Sequence, residues 1–213
     1  MSTENYRSAA TPSGDRSTRI AQLHHRAAAP VLFASPKCRV ALPAGDLLLR
    51  NALRQASLDP SVRAIRYRTA TDSQGPSAQL TGVVLDRLDG NFFLSVCEVL
   101  PTRSEEELAR LTAALESNGL RLLERDAQDI KREPLFSNAC EVWSHERYHV
   151  AIIDRLRISA ALDEGPQSIL ELEERARPTC DILAALCALA CANLVELNIV
   201  DIPLGSRTVV IGH

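Results

Sequence analysis

The chain has 213 residues, 46% of them hydrophobic and 24% charged, with a formal net charge of -3. That is enough apolar side chain for one sizeable core and a smaller second one. The longest apolar run, Ile182 to Ala192, is far short of the roughly 20 residues a membrane span needs, so no membrane is expected, and a weakly acidic balance argues against wrapping nucleic acid without regard to sequence.

Any nucleic-acid contact therefore has to be local. Six cysteines without C-x-x-C spacing read as reduced, buried small hydrophobes of a cytoplasmic protein rather than a disulfide framework. Met1 to Asp15 is polar and lacks the apolar segment of a secretory signal. Up to about Pro30 the composition is Ser, Thr, Ala and Arg with no sustained apolar period, which predicts a disordered basic arm over residues 1–30.

Val31 to Val40 reads as a short irregular lead-in. Ala44 to Leu58 carries Leu48, Leu49, Ala52, Leu53 and Ala56 as a helical stripe that Asp59-Pro60 closes. Val62 to Thr69 reads as a strand and Ser73 to Ser77 as a loop. Gln79 to Pro101 then holds two β-prone apolar runs around Asp89-Gly90, the strongest hairpin signal in the chain. Its second run is expected to continue through Glu98, Val99 and Leu100, and a carboxylate buried there costs several kcal/mol, roughly, unless a metal or partner compensates it. Ser104-x-x-Glu107 opens a helix carrying Leu108, Leu111 and Leu115, Asn118-Gly119 ends it, and Leu120 to Leu123 resumes as a strand. Strand, helix and strand make the crossover of a mixed sheet. Asp126 to Val142 reads as short helical pieces separated by Pro134, completing an α/β domain over residues 31–145.

Residues 146–213 have another rhythm. Tyr148 to Leu162 is helix-compatible, Ser168-x-x-Glu171 is a second capping box, and Thr179 to Asn193 is a third helix. Val195 to Ile199 and Arg207 to Ile211 close as a hairpin. Three helices and a ribbon are the layout of a winged helix. The third helix shows mainly Asp181 and alanines, whereas a recognition helix presents Arg, Lys, Asn or Gln to base edges. An acidic domain of this kind suits protein docking, although Arg175, Arg177 and Thr179 gather where a helix N-terminus could meet phosphate. Arg66 and Arg68 alternate on the Val62 to Thr69 strand and point the same way, either lining a DNA-facing edge or protecting a sheet edge with charge. Cys180, Cys187 and Cys191 share one helix face beside leucines, which is core patterning.

These elements carry a resemblance. The first helix, Leu58-Asp59-Pro60-Ser61-Val62, the hairpin, Cys97-Glu98-Val99-Leu100-Pro101, Leu123-Glu124-Arg125-Asp126 and Glu133-Pro134-Leu135-Phe136-Ser137-Asn138 follow the order found in TnsA-like transposon endonucleases. That family belongs to the PD-(D/E)xK restriction-endonuclease superfamily and carries a winged helix after the nuclease. The resemblance implies a restriction-endonuclease-like mixed sheet flanked by helices, then a small C-terminal winged-helix domain. It also implies Mg²⁺ held by an Asp at the start of the first hairpin strand and a Glu on the second, with a Lys two residues further on. Glu98 stands at the Glu position, but Gly82 and Leu100 stand at the Asp and Lys positions.

Asp86 offers no substitute. A three-residue turn puts Gly82 on the face of Glu98 with Asp86 about 20 Å away along the sheet, while a two-residue turn sends Gly82 to the opposite face. Arg103 could bring a cation from beyond Pro101, and the first helix offers only Asp46 at its start. The expectation is a degenerate nuclease fold without a cofactor, Mg²⁺ entering only if the site is functional. Its partners would be DNA or a protein of a transposition or regulatory system. The alternatives are an active endonuclease with a rearranged site and a protein-protein interaction module without DNA binding. His145-Glu146-Arg147-Tyr148-His149 also matches H-E-x-x-H, which binds zinc when both histidines lie on one helix face.

Overall fold

A computed structural model describes residues 31–69 and 80–213; the arm expected over residues 1–30 and the loop expected at Ser73 to Ser77 lie outside the described residues. A short ribbon, β1 (Leu32–Phe33) and β2 (Leu42–Pro43), leads into α1 (Leu47–Leu58). Asp46 is the N-cap of α1: its carboxylate accepts from the Leu48 amide at 2.9 Å, satisfying one of the donors that a helix start leaves open.

Four strands, β3 (Val62–Arg68), β4 (Gly82–Arg87), β5 (Gly90–Cys97) and β6 (Arg121–Asp126), form a mixed sheet in that order. The first two junctions are antiparallel and the last is parallel. Helix α2 (Glu105–Glu116) supplies the crossover a parallel pair requires. Ser104 and Glu107 make the expected capping box at its start.

The hairpin turns on Leu88 and Asp89, so that Arg87 pairs with Gly90 and Leu85 with Phe92. Because strand side chains alternate, this register sorts the sheet into two faces. Ile65, Val83, Leu85 and Leu94 join the main core under α1, while Val84 and Phe93 face α2 in a smaller cluster around Leu115 and Leu120. Strand β5 ends at Cys97, three residues short of the expected Leu100, and Glu98, Val99 and Leu100 are exposed. The cause lies in the neighbouring strand. Cys97 pairs with Asp126, and Asp126 then leaves the sheet to cap α3 (Ala127–Ile130) through its carboxylate and the Asp129 amide at 2.8 Å. Past Cys97 no strand remains on that side to pair with.

After α4 (Leu135–Ser144) the chain forms α5 (Ile152–Leu162), β7 (Gln167–Ser168), α6 (Ile169–Ala176), α7 (Ile182–Cys191), β8 (Val195–Leu197) and β9 (Val209–Gly212). The expected closing hairpin gains a third strand, because β7 pairs with β9 on the side away from β8. Ser168 and Glu171 form the second capping box at the start of α6.

The two halves share one continuous core, with α4 packed on both α1 and α7. Trp143 marks the junction: its indole nitrogen donates to the Arg54 carbonyl at 3.2 Å, and its ring lies 5.3 Å from that of Phe33. The small side chains of Ile182–Cys191, ILAALCALAC, let α7 be enclosed by α1, α4, α6 and β8, and nine of its ten residues are buried. No helix among the described residues is long and apolar enough to cross a membrane.

Candidate functional site

The hydrolytic set implied by the resemblance does not assemble. Glu98 lies beyond the end of β5, exposed, with its carbonyl rather than its carboxylate tied down, by the Ala127 amide at 3.4 Å. The premise that it is a buried strand carboxylate is therefore corrected. Gly82 lies on the outer face, paired with Arg68, and by alternation it faces away from the side that Val96 shares with the main core. The two-residue alternative for the turn is the one realised. A Cβ at position 82 would meet Cζ of Phe93 at 2.7 Å, so packing under that ring accounts for the glycine.

Leu100 is half-exposed, and the two lysines of the sequence, Lys37 and Lys131, lie outside β4 and β5. Asp86 pairs with Asn91, seven residues from Glu98, or about 24 Å at the rise of an antiparallel strand. Among the described residues no three His, Cys, Asp or Glu side chains converge as metal ligands. These residues do not fit a resident Mg²⁺.

The carboxylate that the sheet does have to compensate is Glu124 on β6. Arg103 donates to it at 2.7 Å, both side chains being about four-fifths buried. That hydrogen bond raises the Arg103 pKa. The cation considered for Glu98 is thus committed elsewhere.

The H-E-x-x-H stretch falls after α4 has ended at Ser144, in turn and irregular backbone. Its histidines do not share a helix face. His145 instead approaches Glu141 at 3.2 Å and meets the ring of Tyr148 edge-on. All six cysteines are free; Cys187 and Cys191 are buried in α7 and the other four are half-buried. Burial pushes the Cys187 and Cys191 thiols up to about 12, which keeps them protonated and poor as metal or redox ligands.

The predicted phosphate cluster before α7 is occupied by intramolecular bonds. Thr179 donates its amide at 3.0 Å and its hydroxyl at 2.8 Å to Asp154, a fully buried carboxylate on α5. Those two bonds, first the backbone one, hold the Asp154 carboxyl below its usual range. Arg175 is paired with Glu164. Arg177 occupies the left-handed C-cap of α6, at a φ of 43°, and its guanidinium turns back to the Glu174 carbonyl at 3.4 Å. Thr179 fastens α5 to the start of α7, and no open anion cradle is left.

Arg66 and Arg68 do share a face, as their alternation predicts. Their Cα partners are Val84 and Gly82, so both point outward from the sheet. They border a groove of about 390 Å³ lined also by Asn91, Asn118 and Leu120. Arg68 donates to the Asn118 side chain at 2.7 Å, whereas Arg66 is half-exposed and only loosely opposed by Asp86 at 3.8 Å. The groove stays open because α2 covers the outer face thinly, with Leu115 its one buried residue. The two guanidinium groups and the Asn91 carboxamide make a donor-bearing surface suited to phosphate and sugar oxygens, while Asn118, whose amide nitrogen donates to the Ala114 carbonyl at 2.8 Å, positions Arg68. Asn91 and Asn118 were not legible as site residues in the sequence, where Asn118 reads simply as a helix stop.

A second concavity, about 520 Å³, lies between the inner face of the sheet and the segment after β8. Ala56, Leu85, Leu94 and Leu123 form its apolar floor, with Arg125 and Glu196 at its edge. It contains no paired nucleophile and base.

Comparison with known proteins yields no match: no family model fits the chain, and neither a curated protein nor a solved structure is significantly similar to it.

Proposed function

We propose that the protein is a DNA-associated accessory component, built on a TnsA-like nuclease fold that lacks a hydrolytic centre and acting in the cytoplasm. The outer face of the mixed sheet takes the phosphate backbone through Arg66 and Arg68. The carboxy-terminal half, whose order of helix, strand, two helices and two strands suits a winged helix, serves docking and not base reading. The observation that carries this reading is the groove bordered by the two arginines and by Asn91 and Asn118. Supporting it is the burial of α7, the helix that a winged helix would present to bases.

A purely protein-binding module is the second reading, favoured by the acidic balance of the chain and by the engagement of Arg175, Arg177 and Thr179 inside the molecule. Binding to a labelled duplex over a salt series separates the two, because phosphate contacts give a linear dependence on log salt. The proposal expects such a slope and no cleavage. Nicking of plasmid in Mg²⁺ or Mn²⁺ that Glu98→Ala abolishes would instead establish the endonuclease with a rearranged site.

A further inference from the structure

The loop between β1 and β2 meets β8 at a pocket of about 260 Å³. Leu58, Pro60, Val62 and Ile199 give it apolar walls. Its charged side chains are Lys37, Arg63 and Glu196, with His213 as the remaining titratable group among the described residues. At about 30 Å³ for each water-sized group, there is room for on the order of nine of them. That suits one small metabolite and neither a nucleotide nor a peptide.

Two opposite charges face this space without meeting. Lys37 is held by its backbone, whose carbonyl accepts from the Ile65 amide at 2.8 Å, and by its ammonium, which donates to the Asp59 carbonyl at 2.6 Å. An ammonium has three donors, so two remain. Burial pulls the Lys37 pKa below its usual value, and the carboxylates of Asp59 and Glu196 offset only part of that. The ammonium is therefore short of negative charge. Asp59 cannot supply more, because its carboxylate accepts from the Ser61 amide at 2.8 Å and is not part of the pocket wall. Glu196 alternates on β8 with the buried Val195 and Leu197, and its carboxylate makes no hydrogen bond or ion pair among the described residues. It acts on Lys37 through its field but not by contact. Two half-buried charges of opposite sign, held apart across a small pocket, suit a ligand carrying the complementary pair, which compensates the desolvation of both.

We propose that this pocket binds a free α-amino acid with an aliphatic side chain, its carboxylate on Lys37 and its ammonium on Glu196. The ligand carboxylate accepts from the two remaining Lys37 donors, and the exposed Arg63 adds a second cation. The ligand ammonium supplies the donors that Glu196 lacks, and the aliphatic group lies against Leu58, Val62 and Ile199. An acid or an amine alone would leave one of the two protein charges unmet, and a phosphate would leave the apolar walls bare as well. Lys37 precedes the first helix and Glu196 follows the last, so the ligand joins the two ends of the folded chain. The proposal does not rest on the DNA reading, because none of Arg66, Arg68, Asn91 and Asn118 lines this pocket.

Isothermal titration of the full chain with L-valine, L-leucine and L-isoleucine tests this. Saturable binding of at least one is expected, and its analogues lacking either the amine or the carboxylate should bind about 10-fold more weakly or worse, as for loss of a charged hydrogen-bonding partner. Glu196→Gln keeps the shape of the side chain and breaks no bond of the carboxylate within the chain, so it should hold the thermal midpoint while weakening the amino acid by a similar factor. Lys37→Met should weaken it likewise, with a lower midpoint because the Asp59 carbonyl loses its donor. Should that variant fail to fold, Glu196→Gln decides alone. No saturable binding of any of the three in the millimolar range overturns the proposal. So does binding that Glu196→Gln leaves unchanged, and so does an amine-free analogue that binds as tightly as its amino acid, which would make the pocket a plain anion site.

Discussion

Gly82 and Glu98 show how much a single position means once its neighbours are known. In the sequence, a glycine where related chemistry needs a carboxylate looks like a lost ligand. In the fold it lies under the ring of Phe93, whose Cζ stands 2.7 Å from where a Cβ at position 82 would be. Gly82→Ala is therefore expected to destabilise the chain by about 1–2 kcal/mol through overpacking, read as a lower urea midpoint, with Phe93→Leu in the same chain recovering part of the loss. Asp154 makes the converse point, because an acid with no signal of its own in the sequence proves to be buried and to tie α5 to the segment that starts α7. Its folded pKa is depressed by the two Thr179 bonds. The stability it contributes is accordingly present above the unfolded carboxyl value, about 3.9, and is lost as pH falls through the folded value. Denaturant midpoints at pH 7 and pH 3 should thus differ more for the wild-type chain than for Asp154→Asn.

At the scale of elements, the signals carried by local physics were legible. Both Ser-x-x-Glu capping boxes form, the helix ending before Asp59-Pro60 ends there, and the hairpin and crossover follow their apolar patterns. What was not legible depends on the next strand or helix along. The end of β5 at Cys97 is set by Asp126 leaving to cap α3, and the third strand, β7, is only two residues long, too short to give a period. The H-E-x-x-H spacing carries no information about whether α4 continues through it, and it does not. Register was narrowed to two alternatives but not chosen, since either turn length suits the Asp89-Gly90 signal. The same contrast separates two helices of similar length. Helix α2 buries a single residue while α7 buries nine of ten, so protection against amide exchange is expected to be lost first across α2 and last across α7. Comparable protection in both would show that the outer face of the sheet is covered more fully than this structure has it.

Over the whole molecule, the boundary expected near residue 145 is bridged by packing. Helix α4 belongs equally to α1 and α7, and Trp143 holds the Arg54 carbonyl from within that junction. Fluorescence of this tryptophan, the single one in the sequence, should follow the same unfolding curve as the helical circular dichroism, as a cooperative unit requires; two separated transitions would mean that the halves unfold independently. The same integration fixes which surfaces remain for function. With α7 enclosed and Thr179 bonded to Asp154, Arg66 and Arg68 are the pair of cations that share the outer face of the sheet and border one groove there. The most direct measurement is the salt dependence of binding to duplex DNA, compared between the wild-type chain and the Arg66→Ala, Arg68→Ala double variant. The account predicts a negative slope of log affinity against log salt that becomes shallower by roughly 2 in the double variant. A slope unchanged by the double substitution, or an affinity that does not respond to salt at all, would contradict it.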